Sequence, residues 1–374
     1  MRRPAVLDVG RWQRLLRTAA LAAALITAAT AGGSAGATTA PAAWERWLHL
    51  PGVLDIAGPR SDGRLVAAVR GRLMLVNPSG KVTRFAPRYS VPPGPESYIT
   101  LSSGIAVDRA GCSFARDEVF ALDLTGDRPG ITRISATGRV SHLATVTGVT
   151  TLSGIALDTV GGFEHRLLVI GPVAQGKTQV SAVDCRGAVT RIGTVDARLE
   201  GGVAVAPLGF GAFGGQLVAA SESSGVIYAV SPEGHLSTVA PSGVPRGGDI
   251  GVESAGFVPP TGASAAYLAD RGTPRSGKPH PGTDSILRLN ATALSAARAD
   301  PGDLLVATEG AATVVRVHCS GTCVTTVAAT GPAPAHGEGH LLVAAGPDVA
   351  RGPLHTRPSR HSWTLTDACN TDAY

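Results

Sequence analysis

Apolar and polar positions alternate along most of this chain in short runs, and turn residues break the runs at regular intervals. One unit recurs six times: alternating apolar residues, a polar residue, two loop residues, then usually glycine. Its copies are Leu75-Val76-Asn77-Pro78-Ser79-Gly80, Ile134-Ser135-Ala136-Thr137-Gly138, Val183-Asp184-Cys185-Arg186-Gly187, Val230-Ser231-Pro232-Glu233-Gly234, Leu289-Asn290-Ala291-Thr292 and Val317-His318-Cys319-Ser320-Gly321. Period-2 alternation on both sides of a glycine-bearing turn predicts a β-hairpin, because strand side chains alternate between faces and glycine accepts the left-handed backbone of a tight turn. A further strand is predicted after each glycine-bearing copy, over 81–85, 139–146, 188–195, 235–239 and 322–327. In the fourth repeat four strands can be laid out, at 202–206, 216–220, 225–230 and 235–239.

Four antiparallel strands repeating at about 50 residues predict the blades of a β-propeller. The expected fold is all-β, a six-bladed propeller with four-stranded antiparallel blades over 53–346. The step from Asn290 to His318 is too short for a full blade. Glu338-Gly339-His340-Leu341-Leu342-Val343-Ala344 shares the layout of Glu200-Gly201-Gly202-Val203-Ala204-Val205-Ala206. That late segment is therefore expected to close the ring with the N-terminal strands, which seals two exposed edges. Residues 291–297 predict a short helix stopped by Pro301-Gly302, and 347–374 a polar, irregular tail.

Composition agrees: among 374 residues there are 48 glycines and 26 prolines, which favours strands and turns over helices. The net charge of +5 is concentrated at the start, where Arg2, Arg3, Arg11, Arg14 and Arg17 face only Asp8. Removing residues 1–37 leaves about +1, which excludes a field that would gather nucleic acid or an anionic membrane. Those residues read as an export signal, with an arginine-bearing start, an apolar stretch from Thr18 to Ala31 and small residues at Ala35-Gly36-Ala37. Residues 38–52 then read as a linker, and the mature protein is expected to be secreted, with no membrane span. Five cysteines suit an oxidising compartment. Cys319 and Cys323 flank a hairpin turn at a separation a disulfide can bridge; a redox or metal pair is the alternative, and the odd count leaves one thiol free or paired elsewhere.

Two motif matches fail on context. Gly209–Gly214 matches GxGxxG but runs into another strand, without the helix that receives a pyrophosphate. Gly32–Gly36 matches GxSxG but falls inside the export signal. A site is better sought where the fold converges. Inner-strand starts and the loops after second strands share one face of a propeller, and several of these positions are acidic. Glu200, Glu253 and Glu338 stand at inner-strand starts, and Asp123, Glu222, Asp270 and Glu309 follow second strands. Strand alternation points His340 the same way as Glu338, and His336 lies two residues before. Gathered carboxylates repel unless a cation sits among them. Glu200, Glu253, Glu338 and His340 are thus candidate ligands for one divalent cation, with Ca²⁺ favoured and a transition metal admitted by the imidazole. The plainer alternative is solvation, or hydrogen bonding to inner-strand amides. The segment 270–284, carrying Asp270, Arg271, Arg275, Lys278 and His280, is the longest loop on this face; Asp270, Arg271 and His280 are candidate ligand-binding residues. Ser102 and Ser103 share the inner-strand-start position, without an assignable His–Asp pair.

Ser103-Gly-Ile-Ala-Val-Asp108, Ser153-Gly-Ile-Ala-Leu-Asp158 and the stretch 215–230 resemble repeats of the NHL and SMP-30/gluconolactonase type of six-bladed propeller. For lactonases of that type the resemblance implies a divalent metal in the channel on carboxylate and asparagine ligands, with Glu200, Glu253 and Glu338 in carboxylate positions. No asparagine stands at an inner-strand start. The leading expectation is a secreted propeller that binds an extracellular small molecule, glycan or protein at an acidic channel face, through a divalent metal. The alternative is a metal-dependent lactone or ester hydrolase.

Overall fold

The structure is a computed structural model that describes residues 41–92, 96–273 and 279–345. The export-signal and tail readings, residues 1–37 and 347–374, lie outside them, as do Arg275, Lys278 and Cys369. Six sheets of antiparallel strands form the blades, joined by one short helix, Ala291–Ala296. That helix begins where Asn290 accepts a hydrogen bond from the Ala293 amide, the capping role its side chain suits.

Blade 1 comprises Val53–Ala57, Leu65–Val69, Arg72–Val76 and Val82–Phe85. Blade 2 comprises Ile99–Leu101, Val119–Asp123, Gly130–Ile134 and Val140–Thr145. Blade 3 is Gly154–Leu157, Leu167–Val173, Lys177–Val183 and Val189–Val195, and blade 4 is Glu200–Val205, Leu217–Ser221, Val226–Val230 and Leu236–Pro241. Second strands such as Leu65–Val69 and Leu304–Thr308 are buried at every position, because a neighbouring blade covers each face. They therefore read as unbroken apolar runs rather than alternating ones. Between blades 2 and 3, for example, Phe114, Phe120 and Ile131 pack on Leu167, Val169 and Val183.

The last two blades exchange strands. Val252–Phe257 is the inner strand of blade 5, but the chain then lays Ala263–Asp270 and Ser285–Asn290 as the middle of blade 6. It returns with Leu304–Thr308, Val314–Cys319 and Cys323–Thr330 to complete blade 5, and Gly337–Ala345 finally supplies the inner strand of blade 6. The short step from Asn290 to His318 thus joins hairpins of two different blades.

Part of the stretch read as a linker is strand. Glu45–His49 is the outer strand of blade 6, and Ala42–Ala43 runs parallel to Cys323–Thr330 at the edge of blade 5. Trp44 between them is buried and donates its indole N–H to the Ala312 carbonyl at 2.8 Å. The pattern was weak here because an outer strand buries only part of one face.

Among the described residues there are two disulfides. Cys319–Cys323 closes the hairpin turn of blade 5. Cys112–Cys185 ties a small hairpin of blade 2 to a turn of blade 3 across 73 residues, a loop whose closure contributes about 4 kcal/mol. Among the described residues no helix is long and apolar enough to cross a membrane.

Candidate functional site

Inner strands crowd together around the channel: a Cβ on Gly256 would lie 1.9 Å from the Leu341 carbonyl oxygen. Their pairing is also interrupted by bulges, between Val53 and Asp55 in blade 1, Glu200 and Ala204 in blade 4, and Val252 and Ser254 in blade 5. Blade 6 shifts register opposite Tyr267–Ala269, where Gly339 takes a φ of +68°. Bulges re-aim side chains. Here they turn acids at strand starts toward one mouth of the channel.

Glu253 and Glu338, from inner strands, meet Glu222 and Glu309, which follow the second strands of blades 4 and 5. Glu338 accepts from the Tyr98 hydroxyl and from Arg271 Nη1 at 3.1 Å, and faces His336 Nε2 at 3.5 Å. His336 Nε2 lies 2.8 Å from Glu309 Oε1, and Arg271 Nη1 also reaches the half-exposed Glu96 at 2.8 Å. Glu253 Oε1 is 3.0 Å from the Tyr98 hydroxyl. Tyr98 has one proton to give, and Glu338 and Glu253 share its hydroxyl.

Among the described residues five carboxylates, of Glu96, Glu222, Glu253, Glu309 and Glu338, thus face two cations, Arg271 and His336. Burial, then repulsion from Glu338 and Glu309, pushes Glu253 well above the usual carboxylate range. Burial and a proton shared with Glu309 raise Glu222 from 4.5 to about 8. For His336 burial opposes the charge, but the hydrogen bonds to Glu309 and Glu338 outweigh it and raise the imidazole from 6.5 to about 10. Burial works against ionisation of Glu338, yet its hydrogen bond from His336 and the field of Arg271 hold it below the usual value.

The other expected residues are placed differently. Glu200 is at the edge of the cluster, with Oε2 held by Arg198 at 3.0 Å and Oε1 buried without a partner. His340 is apart from the carboxylates at the mouth: Nδ1 lies 2.9 Å from Asp55 Oδ2 and Nε2 2.7 Å from the Ile155 carbonyl. Both ring nitrogens are engaged, so it leaves the donor set; the bulge at Gly339 breaks the alternation that placed it beside Glu338. Asp270 is fully buried and accepts from Thr283 N at 3.0 Å, Thr283 Oγ1 and His336 N at 2.8 Å, which makes it an anchor of the 270–284 loop. His280 pins the same loop, Nδ1 at 2.8 Å from the Ala333 carbonyl. Asp123 holds its own turn through Thr125. Tyr98 and Asp55 were missed, although Asp55 stands out as a lone acid in the apolar run Val53–Ala57.

Ligand atoms of Glu309, His336 and Glu338 lie within 4.8 Å of one another, close enough for one ion. Two carboxylate oxygens and an imidazole nitrogen suit a divalent transition ion, and the further carboxylates add the oxygen donors Ca²⁺ prefers.

Six four-stranded blades around a channel with one acidic mouth define a six-bladed β-propeller. Virginiamycin B lyase from Staphylococcus aureus is a similar solved structure, 14% identical over 74% of this chain and 84% of that chain, TM-score 0.39. A chain of the nidogen/laminin complex is 15% identical over 79% and 86%, TM-score 0.45. A gluconolactonase from Xanthomonas campestris is 13% identical over 62% and 69%, TM-score 0.37. No protein-family model matches the sequence, and no curated protein matches it.

Proposed function

We propose that this protein is an extracytoplasmic binding propeller whose acidic mouth holds a divalent cation on Glu309, His336 and Glu338, and through it an extracellular small molecule, glycan or protein. The observation that carries this reading is the gathering of ligand atoms of Glu309, His336 and Glu338 within 4.8 Å, in a mouth where, among the described residues, five carboxylates share two cations and Glu253 and Glu222 are driven to hold protons. A bound cation would release those protons and the one on His336. Affinity should therefore rise with pH.

The lactone or ester hydrolase reading draws less support. Among the described residues no nucleophile–base pair adjoins the three ligands: His336 is itself one of them, and both ring nitrogens of His340 are engaged. Metal analysis of the purified protein, with melting recorded with chelator and with added Ca²⁺, Mn²⁺ or Zn²⁺, tests the proposal. About one ion per chain and a chelator-sensitive melting shift are expected, since a ligand at 100 times its Kd stabilises by about 2.7 kcal/mol. Glu309→Gln with Glu338→Gln should abolish both. No ion and no shift with any of the three metals would overturn it.

A further inference from the structure

A separate cleft opens on the same side of the ring between blades 6 and 1, with a volume of about 800 Å³. That is within the range of small-molecule sites. Its apolar wall is formed by Leu54, Ala68, Tyr89 and Val91, with Arg271 and Gly272 opposite. Arg70 and Arg72 stand at its rim, both exposed. Some arginines of the blades are held by a buried acid, as Arg133 is by Glu118 and Arg316 by Asp303. Arg70 and Arg72 have no ion-pair or side-chain hydrogen-bond partner among the described residues. Ser97 adds a second signal: it is 3% exposed, lines the cleft, and its hydroxyl has no hydrogen-bond partner. A buried hydroxyl without a partner is costly unless a ligand supplies one.

The turn itself points the same way. Arg70 and Gly71 connect the second and third strands of blade 1 with φ of +48° and +70°. Asparagine or glycine is preferred at the first of these positions. Arginine there keeps a guanidinium at the rim against the preference of the backbone. Asp284 is the one carboxylate among the described lining residues, and its Oδ1 accepts from the amides of Gly52 at 2.7 Å and Gly272 at 3.2 Å.

We propose that this cleft binds an organic anion, a carboxylate on a compact apolar body: Arg70 and Arg72 pair with the carboxylate, Ser97 hydrogen-bonds to the ligand, and the Tyr89–Val91 wall takes the apolar part. The site needs no cation at the mouth, and Arg271 adjoins both.

Titration of the native protein with the aryl sulfonate 8-anilinonaphthalene-1-sulfonate, followed by fluorescence, provides the probe, with phenylacetate and phenylacetamide as competitors. One saturable site is expected, displaced by phenylacetate and not by the neutral amide. Arg70→Asn with Arg72→Ala should weaken binding at least about tenfold. Asparagine suits the left-handed turn, so the fold is kept while the charge is lost, which melting of the same variant verifies. Ser97→Ala should weaken it severalfold, and Glu309→Gln with Glu338→Gln, which removes the ion and frees Arg271 of one carboxylate, should not weaken it. Equal displacement by the amide, wild-type affinity in the folded arginine variant, or no saturable binding would overturn the proposal.

Discussion

Two regions bury carboxylates with opposite consequences. In blade 3 the fully buried Asp158 accepts four backbone N–H groups, from Val160 at 3.0 Å, Gly161 at 2.8 Å, Phe163 at 2.7 Å and His165 at 2.9 Å. At the channel mouth Glu253 is nearly as deeply buried, yet it shares one tyrosine hydroxyl with Glu338. The first carboxylate is solvated by the main chain and organises a loop. The second is surrounded by other acids. Burial alone does not mark a structural acid; the supply of donors separates scaffold from site.

Asp158→Ala should cause the largest change, a loss of about 3 kcal/mol or more, because four amides lose a charged acceptor together. Urea unfolding measures it, and a loss below 1 kcal/mol would remove the distinction. Next comes the pH dependence of the metal-free protein. Glu222, raised from 4.5 to about 8, contributes stability that is complete below about 4.5 and lost as pH rises through about 8. His336, raised from 6.5 to about 10, contributes stability complete below about 6.5 and lost as pH rises through about 10. The melting temperature with chelator should therefore fall from pH 5 to pH 9, and saturating divalent ion should flatten or reverse the slope. A rise in the chelated protein would mean ordinary ionised acids at the mouth. Tyr98→Phe should cost about 1–2 kcal/mol by removing a donor from the buried Glu338. Glu253→Gln should be the mildest, within about 1 kcal/mol in chelator, because the amide resembles the protonated acid it replaces.

The repeat, the blade count and the face of the site were legible because each depends on local periodicity. Hairpin turns at a steady spacing defined the blades, and the positions of Glu222, Glu253, Glu309 and Glu338 followed from where inner and second strands end. What local pattern lacks is pairing. The exchange between blades 5 and 6 depends on which distant strand Ala263–Asp270 joins, and that choice leaves no trace in alternation. A bulge adds one residue and redirects everything after it, which is why His340 parted from Glu338. Asp270 looked like a ligand because its three donors, two of them main-chain amides, come from residues 283 and 336. Tyr98 carried no signal beyond adjacency to an inner strand.

The strand exchange also bears on how the ring is built and how it could change. Ala42–Ala43 and Glu45–His49 are made first but find their partners only in Cys323–Thr330 and Ser285–Asn290. Blades 1 to 4 can form in order during synthesis, whereas the middle of blade 6 is laid before blade 5 is complete, and blade 6 receives its inner strand last. A ring of independent blades could gain or lose one at any boundary. At this junction neither blade can be deleted or duplicated as one continuous segment without cutting through its neighbour, so the two behave as a single unit of the ring.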